Sequence, residues 1–273
     1  MNGSRAVQRV RVTVGDRHTA SMVGAHLLGE IADQTGLSSG WSTVVPWTGE
    51  RAPGQDRGRL FAQVAVMLAA GGRSVADMAA LRDQPELFGD VASAATIWRA
   101  VHEVDAAVLT ALRAARAKAR EVVWAAGGAP EEVVLDVDAS LVEIHSEHKE
   151  GATSHYKRGF GFHPMFCFLD ATGEALAGNL RPGNAAANSG ADQLAVVDDA
   201  IAQLPAVWQA GHRPGDDADT VQHQVLVRAD TAGAVRGFID GLVARNRGRR
   251  RCGRAVARSP RCGAGRSAGP ATW

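Results

Sequence analysis

From residue 19 to about residue 126 apolar side chains recur every three or four positions, the spacing of helices that bury one face. Ahead of them, residues 8–14 alternate apolar and polar like a short strand that ends at Gly15-Asp16. Thr19 is placed to cap a helix to about Thr35 with Met22, Val23, His26, Leu27 and Ile31 as its apolar stripe, and Gly36 stops it. Residues 38–58, rich in Gly, Pro, Ser, Thr and Trp, read as an ordered loop or linker. A helix over about 59–70 ends at Gly71-Gly72, and Ser74 with Asp77 three residues on opens a short one that carries Met78 and Leu81. Ser93 or Thr96 then begins one long helix to about Ala126, with Leu109, Leu112 and Val122 inside and Arg113, Arg116, Lys118 and Arg120 outside. Gly127-Gly-Ala-Pro130 breaks the helical pattern and marks a domain boundary.

After residue 131 the period changes from 3.6 to 2. Val133, Val134, Leu135 and Val137 are strand formers, interrupted by Asp136 and Asp138. Residues two apart in a strand share a face, so both carboxylates look to one side and call for a cation there. A divalent metal meets that need; a strand end whose aspartates cap a turn is the other reading, and the strand alone does not choose. The strand has room to run on through Leu141–His145, before a Gly-rich, basic and aromatic stretch at 155–164. Met165–Leu169 and Ala175–Leu180 flank a hairpin turn at 170–174. A helix at about Gly190–Leu204 carries Leu194, Val197, Ile201 and Leu204. A strand at Gln222–Val227 follows, leading to Arg228-Ala-Asp230, and a helix at Ala234–Ala244.

Three strands, a helix, a strand and a helix are the opening order of the ribonuclease H-like fold, a mixed sheet with an antiparallel meander before helix-linked parallel strands. The expected class is therefore mixed α/β. A helical DNA-binding region occupies 1–130, the first part of a ribonuclease H-like domain 131–246, and a tail 247–273. Acids on the first and fourth strands fall where that order brings strand ends together. Oxygen donors so gathered suit Mg²⁺ or Mn²⁺, and two such ions about 3.5–4 Å apart support in-line displacement at phosphorus.

Composition changes the picture in one respect. The whole chain carries a formal charge of +1, but 247–273 hold eight arginines and no acid, leaving 22 basic against 29 acidic residues in 1–246. No apolar run reaches the length of a membrane span and no signal-peptide core follows the N-terminus, so a cytoplasmic protein without a membrane partner is expected. Three cysteines form no disulfide framework.

The motifs Leu135-Asp-Val-Asp138-Ala-Ser140, His145 through Pro164, and Val227-Arg-Ala-Asp230-Thr-Ala-Gly233 resemble the catalytic half of bacterial insertion-sequence DDE transposases. Residues 81–87 and 93–99 are similar to the same proteins, with the insertion sequence thirteen-eighty family the nearest group. That resemblance implies Mg²⁺ or Mn²⁺ as cofactor and DNA as partner, at element ends and target, with strand cleavage and transfer as the activity and a homo-oligomer on DNA. Carried over, the first two catalytic acids are Asp138 and Asp230, both metal ligands, with Asp136 a further candidate ligand. The third acid, a glutamate from a later helix, has no counterpart.

DNA phosphate contacts are expected from Lys149, Lys157, Arg158 and His163 near the acids, with solvated loop charges as the other reading. Thr96, Arg99 and His102 would read bases if the short helices before residue 93 and the helix after it form a helix-turn-helix; an ordinary helical bundle fits the same spacing. His145, His148, His155 and His163 lack zinc-finger spacing, and Gly159 with Gly161 is no nucleotide loop. The tail, mostly Arg, Gly, Ala, Ser, Pro and Cys without hydrophobic period, reads as out-of-frame sequence of a GC-rich gene or as a basic arm for DNA phosphates. Two functions of other kinds stay open: a non-catalytic DNA-binding protein that inhibits transposition, and a metal-dependent nuclease.

Overall fold

The computed structural model describes residues 20–45, 54–145, 148–186, 188–230 and 235–245. The expected strand at 8–14, the cap at Thr19 and the tail at 247–273 lie outside them. The chain divides into two compact units, Met1–Gly128 and Ala129–Trp273. Gly127 ends the last helix of the first unit with φ 98°, a left-handed turn that favours glycine.

The first unit is helical. α1 spans Ala20–Gln34 and α2 spans Leu37–Val44, so the expected linker begins with a helix. α3, Arg57–Ala69, starts where Asp56 accepts the Arg59 N–H at 2.8 Å. A 3-10 turn at Val75–Met78 has the expected capping box, with the Asp77 carboxylate accepting the N–H groups of Arg73 and Ser74. α4 (Ala79–Arg82) and α5 (Pro85–Phe88) follow. The expected long helix is two helices, α6 (Ala94–His102) and α7 (Ala106–Val123). The break has a local cause: Asp105 accepts the Val108 N–H at 2.8 Å and starts a new helix. Leu60, Val66, Met67, Met78, Leu81, Phe88, Ile97 and Ala100 share one core.

Two faces differ from the periodic reading. On α1, Leu27 and Ile31 are exposed while Ala25 and Ala32 are buried. On α7, Leu109 and Val122 are exposed, and Ala115, Ala119 and Arg120 are buried. Small residues let α7 come close to α2, where a Cβ at Gly40 would lie 3.3 Å from that of Ala115, and the Trp41 indole N–H donates to Leu112 O at 3.1 Å.

The second unit holds a four-stranded and a three-stranded sheet. The strands are β1 (Val133–Ala139), β2 (Val142–Glu143), β3 (Thr153–Ser154), β4 (Phe160–Phe162), β5 (Met165–Leu169), β6 (Glu174–Asn179) and β7 (Val225–Ala229). The main sheet has the order β6-β5-β1-β7, with β5 antiparallel to both β1 and β6 and β7 parallel to β1. β1 does not run on through Leu141–His145; the chain leaves the sheet after Ala139, and β2, β4 and β3 form the small sheet. Period two holds on the main sheet. Val133, Leu135, Val137, Met165, Cys167 and Leu169 are buried on one face, where helix α8 (Gly190–Ile201) packs with Val196, Val197 and Ala200. α9 (Ala206–Gln209) lies before β7, and α10 (Arg236–Arg245) packs on α8, fixed by Arg245 to Asp198 at 2.5 and 2.6 Å.

Candidate active site

Asp136 and Asp138 project from β1 on the face opposite that apolar layer, as alternation requires. Their surroundings differ. Register places Asp136 opposite Arg228 on β7. The guanidinium grips Asp136 with two bonds of 2.5 Å and reaches Asp170, at the end of β5, at 2.5 Å. Those bonds, with Asp136 foremost, raise the Arg228 pKa further above its already high value. A bidentate guanidinium–carboxylate pair supplies the cation that Asp136 requires.

Asp138 stands two residues on, exposed, at the carboxyl end of β1. One carboxylate oxygen accepts the Ala139 N–H at 2.8 Å, and no cationic side chain pairs with Asp138 among the described residues. The parallel register runs to Val137 opposite Ala229; one step further it sets Asp138 opposite Asp230, which is also exposed. Neighbouring strands lie about 4.8 Å apart, so the two carboxylates share one end of the sheet. Two hard oxygen donors on adjacent strand ends fit part of the shell of a divalent cation. Among the described residues no group of three His, Cys, Asp or Glu side chains is arranged to hold a metal. Asp136, the further candidate ligand, has its carboxylate bonded to Arg228.

On the buried face between the two aspartates, Cys167 pairs with Val137. Burial, and after it the Asp136 charge, push its thiol up to about 12. The remaining candidates are dispersed. Lys149, Lys157 and Arg158 are exposed on the segment between β1 and β5, Lys157 and Arg158 in the turn joining β3 to β4. Thr96 and Arg99 lie on α6 of the first unit, linked to each other at 3.4 Å; Thr96 is half-buried and Arg99 exposed, and His102 stacks on Trp98 at 5.1 Å. Zinc-type clustering of His145, His148, His155 and His163 is absent among the described residues. His163 is instead a buried structural residue, its ring bonded to Ala185 O at 2.8 Å. Two participants escape a reading by sequence: Asp170, which looks like a turn residue, and Arg181, buried and bonded to His163 O, Ala186 O and Asp192.

A mixed α/β unit with acids on adjacent strand ends is suited to polyanion chemistry assisted by a hard cation. The chain belongs to the transposase DDE domain group 1 family, whose sequence pattern matches residues 3–248. That family implies an enzyme of polynucleotidyl-transferase type in DNA transposition, with DNA as its partner and divalent metals in general use. No curated protein and no solved structure matches the chain significantly. No described helix is long and apolar enough to cross a membrane.

Proposed function

We propose that this chain is the transposase of an insertion sequence of the thirteen-eighty family, acting on element ends and target DNA by strand cleavage and transfer. The observation that carries the proposal is the β1–β7 register, which sets Asp138 opposite Asp230 at one sheet end. The order β6-β5-β1-β7, with an antiparallel meander beside a parallel strand, supports a ribonuclease H-like reading of the second unit. In that reading Asp138 and Asp230 are two of the catalytic acids and hold Mg²⁺ or Mn²⁺. When bound, the cation supplies charge neutralisation for the attacking and leaving oxygens of the phosphodiester. Asp136 holds Arg228 and through it the register of the two acid-bearing strands. Lys149, Lys157 and Arg158 supply phosphate contacts on the same unit. α6 of the first unit, with Thr96 and Arg99 toward its exposed side, is the DNA-reading helix. The arginine-rich residues 247–273, nearly all outside the family match, are read as out-of-frame sequence.

The test is cleavage of a plasmid carrying the DNA that flanks the gene, with Mg²⁺ or Mn²⁺, by the full chain and by the chain continued in each other reading frame. Metal-dependent cutting at the element ends followed by strand joining, lost in Asp138→Asn and in Asp230→Asn, is the expected result. Cutting without joining would identify a nuclease; end binding without cutting in any frame would identify an inhibitor.

A further inference from the structure

Between β1 and β5 the chain builds a short hairpin whose tip is braced from within. The His155 N–H donates to Gly159 O and the Arg158 N–H to His155 O, both at 3.0 Å, closing a tight turn. The His155 side chain is buried inside it, with Nδ1 accepting the Lys157 N–H at 3.3 Å and Nε2 3.6 Å from Glu143 Oε1. Gly159 lies so close that a Cβ there would fall 2.4 Å from that Nε2. Arg158 takes φ 65°, a left-handed conformation uncommon outside glycine. The opposite side of the hairpin is clamped to the main-sheet loop, where the Asn184 N–H donates to Thr153 Oγ1 at 3.0 Å and Phe162 bridges Pro182.

Such bracing holds out three side chains in a row: Tyr156, Lys157 and Arg158. Tyr156 is the one tyrosine of the chain and is 74% exposed. The rings nearest to it, His155 and His163, are tilted by 69° and 52° at 6.5 and 6.4 Å, so neither covers a face in parallel. The contrast with Trp98 is direct, since His102 stacks on that indole at 6°. The Lys157 ammonium lies over one face of the Tyr156 ring, 5.7 Å from its centroid, which leaves the other face for a base. An open aromatic face beside two cations, on a rigid tip, matches how single-stranded nucleic acid is held: a base stacks on the ring while cations meet the phosphates. Inside fully paired DNA the base faces are hidden in the stack, and a side chain reaches one only by opening a step at a cost. The hairpin also has its root at the acids: β2 begins four residues after Asp138, and the returning strand starts at Met165, paired with Ala139.

We propose that Tyr156 stacks on an unpaired base of the strand whose phosphodiester faces Asp138 and Asp230, with Lys157 and Arg158 on the neighbouring phosphates. The proposal rests on the transposase reading and adds to it a requirement for an opened strand end. The test uses the full chain with 3-fluorotyrosine, which gives a single ¹⁹F resonance, and two probes: a fully paired duplex and the same duplex with a short single-stranded 3′ end. The resonance is expected to move with the open-ended probe and to stay in place with the paired one. In titrations, Tyr156→Ala weakens the open-ended probe roughly fivefold or more, the size of one lost base stack. The paired probe changes by less than about twofold, and Tyr156→Phe binds both probes like the parent. Lys157→Ala weakens both probes alike and flattens the salt dependence. An unmoved resonance, or equal effects of Tyr156→Ala on the two probes, overturns the proposal. If that happens while Asp138→Asn still abolishes metal-dependent cutting, the base contact falls and the transposase reading stands. If the parent chain binds neither probe, both fall.

Discussion

In the middle of the β1–β7 pair, Asp136 is held by Arg228, which also reaches Asp170. Two residues on, at the end of the same pair, Asp138 faces the place of Asp230 with no cation from the described protein beside it. The side chain, the strand and the face are the same; what differs is the residue across the ladder. An arginine opposite ties one aspartate to the neighbouring strand, and on the proposed function the other, set opposite an aspartate, is left for the metal. A carboxylate's role on a strand is therefore set by its register partner more than by its own surroundings in sequence.

The largest effect that would break this comparison is on activity. Asp138→Asn or Asp230→Asn should cut metal-dependent DNA cleavage on the order of a thousandfold, while the midpoint of urea unfolding barely moves. Asp136→Asn should do the reverse, keeping cleavage within a few-fold of the parent. A loss of cleavage with Asp136→Asn as deep as with Asp138→Asn would make Asp136 a ligand and undo the distinction.

Next comes stability. Arg228→Met leaves Asp136 and Asp170 facing each other without a counter-charge and should cost about 1–2 kcal/mol, at the low end for a bidentate network because all three groups are partly exposed. Asp136→Asn should cost about 1 kcal/mol, and the double variant less than the two added together. Additive losses in urea titrations would mean that the pair contributes nothing to holding the strands.

The smallest effect is on pH dependence. Cys167 has its thiol raised from 9.0 to about 12 by burial and, second, by Asp136. The folded chain keeps that thiol protonated where the unfolded chain ionises it, so this group does not alter stability below about pH 9 and lowers it as pH rises from 9 toward 12. Cys167→Ala should flatten that part of the unfolding-midpoint profile, and Asp136→Asn should shift its upper limit down slightly. A profile unchanged by Cys167→Ala would show that the thiol plays no part in it.

Local signals were readable ahead of the structure because they act over a few residues. Ser74 with Asp77 makes its capping box and Ser93 caps α6. Gly173, at φ 68°, closes the expected hairpin. Faces set by distant partners were not readable. The periodic leucine and valine of α7 point outward, and the close approach of α2 falls at Ala115 instead. At the candidate site, strand order alone puts Asp138 and Asp230 at neighbouring strand ends, and it takes the register to show that Arg228 lies opposite Asp136, 92 residues away in sequence. β2, β3 and β4 are two or three residues long, too short for any period to show.

The parallel pairing of β1 with β7 has a consequence in time. β5 reaches β1 through an insertion of fewer than thirty residues, but β7 must find it across some 85 residues that include α8. Closing so long a loop is entropically slow, and parallel ladders gain nothing until both ends meet. The β1–β7 ladder is then among the last to close as the unit folds, and with it the pairing of Asp138 and Asp230. A nascent or partly folded chain would carry the first acid on a formed meander for some time before the second arrives, and on the proposed function it would lack, during that interval, the arrangement needed to cut DNA.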